Sequence, residues 1–381
     1  MRLFTIAGEA SGDALGAALL RGLAQIAPGT RAEGVAGPRM QAVGARSLFP
    51  MNELSLMGLI EVLPRYPHLR RRMIQLTEAA IESGADALVT IDSPDFCLRV
   101  AARVKAARPD MPVIHYVAPS VWAWRPGRAA KMARHVDHVL ALLPFEPPYM
   151  TAVGMTCDFV GHPAAAEQRA SAEEVDLFRK VNELDQTLLV LPGSRAGEIA
   201  RLSDTFGVAA ALAMRARPRL SAVIPVAPGR MTDVRAAVED WPFRPLLVDT
   251  DDPETRRAAF GAGSVALAAS GTVSLDLARA GVPMVIGYDV NPISRILMSR
   301  MLRTDTVTLV NLVSDTRAVP EFIGRDFRAV PMAAALVRAL DGPKAQIAAM
   351  ETTMKRLGAG GEAPGLRAAR SVLAAVERLS V

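Results

Sequence analysis

Leu188-Leu189-Val190-Leu191-Pro192-Gly193-Ser194-Arg195, running on into Ala196-Gly197-Glu198-Ile199, and Val265-Ala266-Leu267-Ala268-Ala269-Ser270-Gly271-Thr272 decide the reading of this chain. In each, an apolar strand-like run ends in glycine and small hydroxyl residues just before a helix-like run. Such a turn aims backbone N–H groups, helped by the helix dipole, at an anion. Two such turns can hold a diphosphate, with Gly193, Ser194, Arg195, Ser270, Gly271 and Thr272 as its contacts and Glu198, in the next helical turn, counted beside them.

Short apolar runs alternate with longer amphipathic ones along the whole chain. Residues 3–7, 87–91, 113–117 and 139–143 read as buried strands, bounded by turn residues and spaced by helix-length segments. The rhythm restarts at 188–191 and continues at 222–226, 246–248, 265–269 and 283–286. Near-continuous Val, Leu, Ile and Ala strands in βαβ order indicate parallel sheets covered on both faces. At 381 residues, half of them apolar, the chain exceeds the ~250–300 residues that one core usually holds. The expected fold class is α/β with two domains, residues 1–163 and 164–345. Gly161-His162-Pro163-Ala164-Ala165 and the polar stretch through Asn182 form the crossover, and a ligand is expected between the domains at the carboxyl ends of the strands.

Composition narrows the function classes. A net charge of +5, mostly from arginine, suits acidic small molecules or anionic lipid surfaces, and no basic tract points to nucleic acid. Cys97 and Cys157 are too few and too far apart for a disulfide framework or a thiolate metal site, so a reducing cytoplasm is expected. Neither a signal peptide nor a run of the ~20 apolar residues that span a bilayer is read.

Several segments carry chemistry of their own. Gly8-Glu9-Ala10-Ser11-Gly12-Asp13 lacks the spacing of a dinucleotide fingerprint, and Glu9 would stand where pyrophosphate needs positive potential. A carboxylate and a hydroxyl there suit the hydroxyls of a sugar; alternatively, Ser11 or Asp13 caps the first helix. Asp92 follows the apolar run 87–91 and precedes Ser93-Pro94-Asp95, which puts a partly desolvated carboxylate at the top of a central strand as a general base, or as a brace for the turn. The loop around Ser120, Trp122, Trp124 and Arg125, leading to Arg128, Lys131, Arg134 and His135, sets aromatic rings beside cations, which suits a sugar face and a phosphate as well as plain packing. Residues 54–74 pair apolar surface with clustered arginine, as an interfacial helix or a helix covering the sheet would. Asp249-Thr250-Asp251-Asp252 resembles a metal-binding triplet but leads into a helix start, and His162 reads as structural.

Taken in order, Gly8 to Asp13, Gly34-Val35-Ala36-Gly37-Pro38-Arg39-Met40, Met57-Gly58, Ile91-Asp92-Ser93-Pro94-Asp95-Phe96, Trp122-Ala123-Trp124-Arg125, Leu143-Pro144-Phe145-Glu146, Leu191 to Arg195, Ala269 to Thr272 and Asn311-Leu312 closely resemble the lipid-A-disaccharide synthase family. The resemblance runs from the first strand to residue 345. It implies a GT-B glycosyltransferase, two Rossmann-like domains whose parallel sheets face a central cleft. The family moves a 2,3-diacylglucosamine unit from its UDP conjugate to 2,3-diacylglucosamine 1-phosphate (lipid X), forming a β-1,6-linked disaccharide phosphate and UDP with inversion. It implies no cofactor, no metal, and peripheral association with the cytoplasmic face of the inner membrane. A homodimer is left open. Residues 346–381 are expected to return to the first domain.

On that footing Asp92 is the base for the incoming 6-hydroxyl and Glu9 and Ser11 position a sugar close by. Ser194, Arg195, Ser270, Gly271 and Thr272 hold the departing diphosphate. Asp276, one helical turn after Thr272, is placed to meet ribose hydroxyls, although the family usually has Glu there. Asn311, in an apolar strand-like stretch, matches the family's asparagine and is expected to reach the cleft. Arg125 or Arg128 takes the acceptor's 1-phosphate, beside Ser120, Trp122 and Trp124. Residues 54–74 become the membrane contact, and Asp289 stands where relatives carry Arg. A UDP-N-acetylglucosamine 2-epimerase, a transferase acting on a polyprenyl-linked acceptor and a non-catalytic UDP-sugar-binding protein are the rival readings. Hydride transfer is disfavoured because neither half carries the dinucleotide fingerprint.

Overall fold

The computed structural model describes residues 1–54, 67–289 and 304–379 in full, and the backbone alone over 59–66. The chain divides into two compact units, Met1–Ala166 joined by the chain from Gly360 onward, and Glu167–Ala359. Among the described residues the first unit contains β1 (Arg2–Ala7), β2 (Arg31–Val35), β3 (Arg46–Ser47), β4 (Ala87–Ile91), β5 (Val113–Tyr116), β6 (His138–Ala141) and β7 (Thr156–Phe159). They form one parallel sheet in the order β3-β2-β1-β4-β5-β6-β7. The second unit contains β8 (Gln186–Leu191), β9 (Leu220–Val226), β10 (Leu246–Asp249), β11 (Val265–Ala268), β12 (Met284–Tyr288) and β13 (Glu321–Ile323), parallel in the order β10-β9-β8-β11-β12-β13. Both are Rossmann-like.

Burial explains why these segments are strands. All five residues of β4 are buried. Leu88 packs into a core with Val100 and Val104 from the helix Pro94–Ala107, while Val89 and Ile91 face the opposite core with Leu19 and Leu23. Helices cover both faces, so no polar alternation is needed. In the second unit Leu188, Val190, Leu267 and Val285 pack against Phe206. The strands that the hydropathy pattern does not reveal are mostly edges: β3, β7 and β13 have only exposed or half-buried residues, and β2 carries Arg31 and Glu33.

The return of the chain to the first unit begins later than residue 346. The helix Lys344–Arg356 stays with the second unit, where Gln346 accepts a hydrogen bond from the Met284 N–H (2.8 Å) and Arg356 donates to the Val313 carbonyl (2.7 Å). Only the helix Pro364–Leu379 returns, laying Ala368, Ala369, Val372 and Ala375 into the core beside Leu15, Leu19 and Leu23. It approaches the helix Ala10–Ile26 through glycine: a Cβ on Gly22 would lie 2.5 Å from the Gly365 carbonyl oxygen, and one on Gly365 2.5 Å from that of Ala18. Buried His138 fixes the same helix through Ser371 Oγ (2.7 Å), which itself donates to Asp158 (2.6 Å).

A buried carboxyl ties the loop after β6 to the loop after β5. Glu146 accepts hydrogen bonds from the Leu143 N–H (2.9 Å) and from Trp122 Nε1 (3.3 Å), and Phe145 meets the Trp122 ring edge-on, with centroids 5.2 Å apart. Burial pushes its pKa up to about 7, against the pull of those hydrogen bonds.

Two outcomes follow. Gly22→Val forces the two helix backbones apart and should destabilise the first unit by about 1–3 kcal/mol, read as an earlier urea transition. For Glu146 the folded pKa lies above the ordinary 4.5, so its proton-linked contribution is full below 4.5 and is lost as pH rises through about 7. Glu146→Gln should therefore flatten the wild type's fall in stability between pH 5 and 8, a fall of roughly 3 kcal/mol at most. Parallel curves for the two proteins would refute that account.

Candidate functional site

In a doubly wound sheet, ligands bind where the strand order reverses, at the carboxyl edge. In the first unit that point lies between β1 and β4, whose ends are level because Ala7 pairs with Ile91. Glu9 is the N-cap residue of the helix Ala10–Ile26, with extended backbone and no side-chain capping bond. Ser11 Oγ donates to Asp92 Oδ2 (3.1 Å), the Ser93 N–H donates to Asp92 Oδ1 (2.8 Å), and Ser93 Oγ lies 3.5 Å from Glu9 Oε1. The expected trio of Glu9, Ser11 and Asp92 is thus brought together, half-buried or exposed. Asp92 and Ser93 have φ of 54° and 44°; Pro94 disfavours a right-handed conformation at Ser93, and aspartate tolerates the left-handed one. The capping alternative is corrected. Asp13 is buried and accepts from the N–H groups of Arg39 and Met40 (2.9 Å each), so it caps the short helix Pro38–Gln41 instead of its own.

The neighbouring loop divides into anchored and exposed parts. Trp122 is held by Glu146, whereas Trp124 is 39% exposed with the Arg125 guanidinium 4.4 Å from its ring centre. Exposed Ser120 accepts the Ala123 and Trp124 N–H groups at its carbonyl (3.1 and 3.2 Å). Arg128 is ion-paired with Asp95, which leaves Arg125 as the better placed cation of the two. Beneath this edge His115 bonds Thr90 Oγ1 (2.8 Å), and burial, then Arg128, push its pKa down to about 4, so it is neutral.

The second unit reverses its order between β8 and β11. Gly193 has φ 125°, and exposed Ser194 and Arg195 lead into the helix Ala196–Ala216. Glu198 faces inward toward the turn, accepting from the Ser194 N–H (3.3 Å), Arg195 (3.4 Å) and the Tyr288 hydroxyl (3.3 Å). Gly271, with φ 151° and open space where a Cβ would be, and Thr272 at the N-cap leave the start of the helix Val273–Ala280 accessible. Asp276 is tied to Arg256 (2.6 Å) and Arg279 (3.4 Å); burial raises its pKa and Arg256 lowers it.

The expectation for Asn311 changes. Asn311 lies on the helix Leu309–Ser314, not on a strand, and is buried; its amide donates to Thr306 Oγ1 (3.2 Å) and the Val319 carbonyl (2.9 Å) and accepts from the Val319 N–H (3.0 Å). It braces its own loop. Asp252 caps the helix Pro253–Gly261 by accepting from the Thr255 N–H (2.8 Å), and His162 accepts from the Ala164 N–H (3.1 Å). Among the described residues no group of three or more His, Cys, Asp or Glu is arranged to hold a metal ion. Sequence reasoning missed Tyr288, Arg256 and Arg230, whose Nε donates to the Ser194 carbonyl (3.2 Å). Arg230 was within reach of the rule used for the other turns, since Pro228-Gly229-Arg230 also sits between a strand and a helix.

Solved structures share this architecture. UDP-GlcNAc 2-epimerase from Neisseria meningitidis, bound to UDP-GlcNAc, superposes with a TM-score of 0.63 at 11% identity, over 99% of this chain and all of that one. The calicheamicin glycosyltransferase CalG4 gives 0.59 at 16% identity, over 100% and 99%. At such identities these likenesses establish the fold, that of GT-B glycosyltransferases and the epimerases that share it. Sequence relatives are much nearer. The lipid-A-disaccharide synthase of Ruegeria pomeroyi is 52% identical over 98% of this chain and 95% of its own length, and that of Rhodospirillum centenum is 47% identical over 97% and 94%. With the lipid-A-disaccharide synthetase family model matching residues 3–372, the chain belongs to that family.

Proposed function

We propose that this protein is an inverting glycosyltransferase that joins UDP-2,3-diacylglucosamine to 2,3-diacylglucosamine 1-phosphate, giving the β-1,6-linked lipid A disaccharide 1-phosphate and UDP. Family membership supports the reaction, and the observation that carries its assignment to residues is the Asp92–Ser11–Glu9 cluster at the switch point of the first sheet. Asp92 takes the proton from the acceptor 6-hydroxyl as that oxygen bonds to the donor's anomeric carbon and the bond to the diphosphate breaks. The hydrogen bonds from Ser11 and the Ser93 N–H aim its carboxylate. Ser194, Arg195 and the open helix start at Ser270-Gly271-Thr272 stabilise the charge on the departing UDP, a role that backbone N–H groups and arginine fill without a metal. Arg125, stacked on exposed Trp124, takes the acceptor's phosphate.

Acylated substrates favour work at the surface of the inner membrane, with residues 54–74 as the contact. Residues 55–58 and the side chains of 59–66 lie outside the described residues. Farther along the segment Arg70 and Arg71 are exposed, whereas Arg72 and His68 are bound to Glu53 (2.6 and 2.8 Å) and contribute less. No described helix is long and apolar enough to cross a membrane.

UDP release from the diacylated donor, measured in detergent with excess chelator, tests this reading. It should require the acceptor, survive the chelator, and fall about 100-fold or more in Asp92→Asn. Release that ignores the acceptor would revive an epimerase-like or binding role, and a fully active Asp92→Asn enzyme would remove Asp92 as the base.

A further inference from the structure

We propose that Glu198 and Tyr288 are positioning residues of the diphosphate turn, holding Gly193-Ser194-Arg195 in shape for the donor without touching it; this rests on the donor reading above. The Glu198 side chain is only 15% exposed and collects three donors from different places. They are the Ser194 N–H, the Arg195 guanidinium and, from the end of β12, the Tyr288 hydroxyl, all at 3.3–3.4 Å. A carboxylate is a poor ligand for a diphosphate, because like charges repel strongly where solvent is partly excluded. Its place beside the turn has another cause.

Backbone geometry supplies that cause. A Cβ on Gly193 would meet Glu198 Cβ at 2.7 Å and Oε2 at 2.8 Å, so the glycine turn and the glutamate are fitted to each other. In the first turn of its helix the carboxylate is also favoured by the helix dipole. On the other side Arg230, itself paired with Asp233 (3.1 Å), donates to the Ser194 carbonyl. The Ser194 residue is therefore gripped at both its N–H and its C=O. The bonds to Glu198 are long, and the Arg195 side chain remains 60% exposed, which leaves its other N–H groups for a ligand. Burial, then the Glu198 charge and hydrogen bond, keep the Tyr288 hydroxyl protonated, so it remains a donor at neutral pH.

Calorimetric titration of the full chain with UDP, and separately with inorganic pyrophosphate, decides the matter for the wild type, Arg195→Ala, Glu198→Ala, Glu198→Gln and Tyr288→Phe. Arg195→Ala and Glu198→Ala should weaken UDP about tenfold or more and Tyr288→Phe about threefold, while Glu198→Gln, which keeps an acceptor oxygen, stays within about threefold. The KM for the donor should rise in the weakened variants and the KM for the acceptor should not. Tighter UDP binding in both Glu198 variants would overturn the inference, since the carboxylate would then be a competitor of the diphosphate. Wild-type affinity in Glu198→Ala and Tyr288→Phe, with Arg195→Ala weakened, would also overturn it and leave the donor reading standing. If Arg195→Ala binds UDP as the wild type does, the donor reading falls and takes the inference with it. Should Glu198→Ala fail to fold, Glu198→Gln and Tyr288→Phe, which preserve shape, carry the comparison.

Discussion

A parallel sheet delivers the carboxyl end of every strand to one edge, and the crossovers decide where that edge is left uncovered. In both units the first strand lies beside the fourth, so the chain leaves these neighbours in opposite directions and no crossover closes the gap. Register then sets the loops level with each other: Ala7 pairs with Ile91 in one sheet and Leu191 with Ala268 in the other. The juxtaposition of Glu9 and Ser11 with Asp92, and of the Gly193 turn with the Gly271 turn, is a consequence of strand order. Near-complete burial of β1, β4, β8 and β11 makes that order rigid.

The same edge of the first unit is where the backbone is strained. Asp92, Ser93, Val117 and Arg125 all have positive φ, and for β-branched Val117, at 84°, this is a costly conformation. Such residues cost on the order of 1–3 kcal/mol each and persist only where their surroundings over-determine them. Here the determinants are visible. The Asp92 N–H continues the ladder to the Tyr116 carbonyl (2.9 Å) and the Val117 N–H to the Leu140 carbonyl (3.0 Å), so the sheet imposes its pairing one residue past the strands and the loops turn sharply from there. The turn faces the Asp92 carboxylate toward Ser11 and not back along its strand.

Central strands were legible in the sequence because burial on two faces leaves an unbroken apolar run, as in Ala87 to Ile91. Edge strands such as Thr156–Phe159 were not, because one-sided burial leaves a mixed run that resembles a loop. The glycine turns were legible for the same local reason, a strand meeting a helix start. Partnerships across sequence distance were hidden: nothing near Glu198 announces Tyr288, ninety residues on, and nothing near Asp276 announces Arg256. Asn311 misled because an apolar flank is shared by strands and by short buried helices, and periodicity cannot separate them at six residues.

Charge pairing gives the two switch points different characters. Around the second, Arg195, Arg230 and Arg256 are each tethered to a carboxylate, Glu198, Asp233 and Asp276 respectively. Free arginines would attract a diphosphate more strongly, yet in the proposed reaction the product UDP carries more negative charge than the UDP-sugar, so a bare cationic cluster would hold product more tightly than substrate. Tethering lowers the net field while fixing the direction of each guanidinium, which gives up raw affinity for orientation. At the first switch point the arrangement is the converse. Asp92 is attended by a hydroxyl and a backbone N–H. Two neutral donors orient the carboxylate and leave its remaining lone pairs to accept the proton of a sugar hydroxyl.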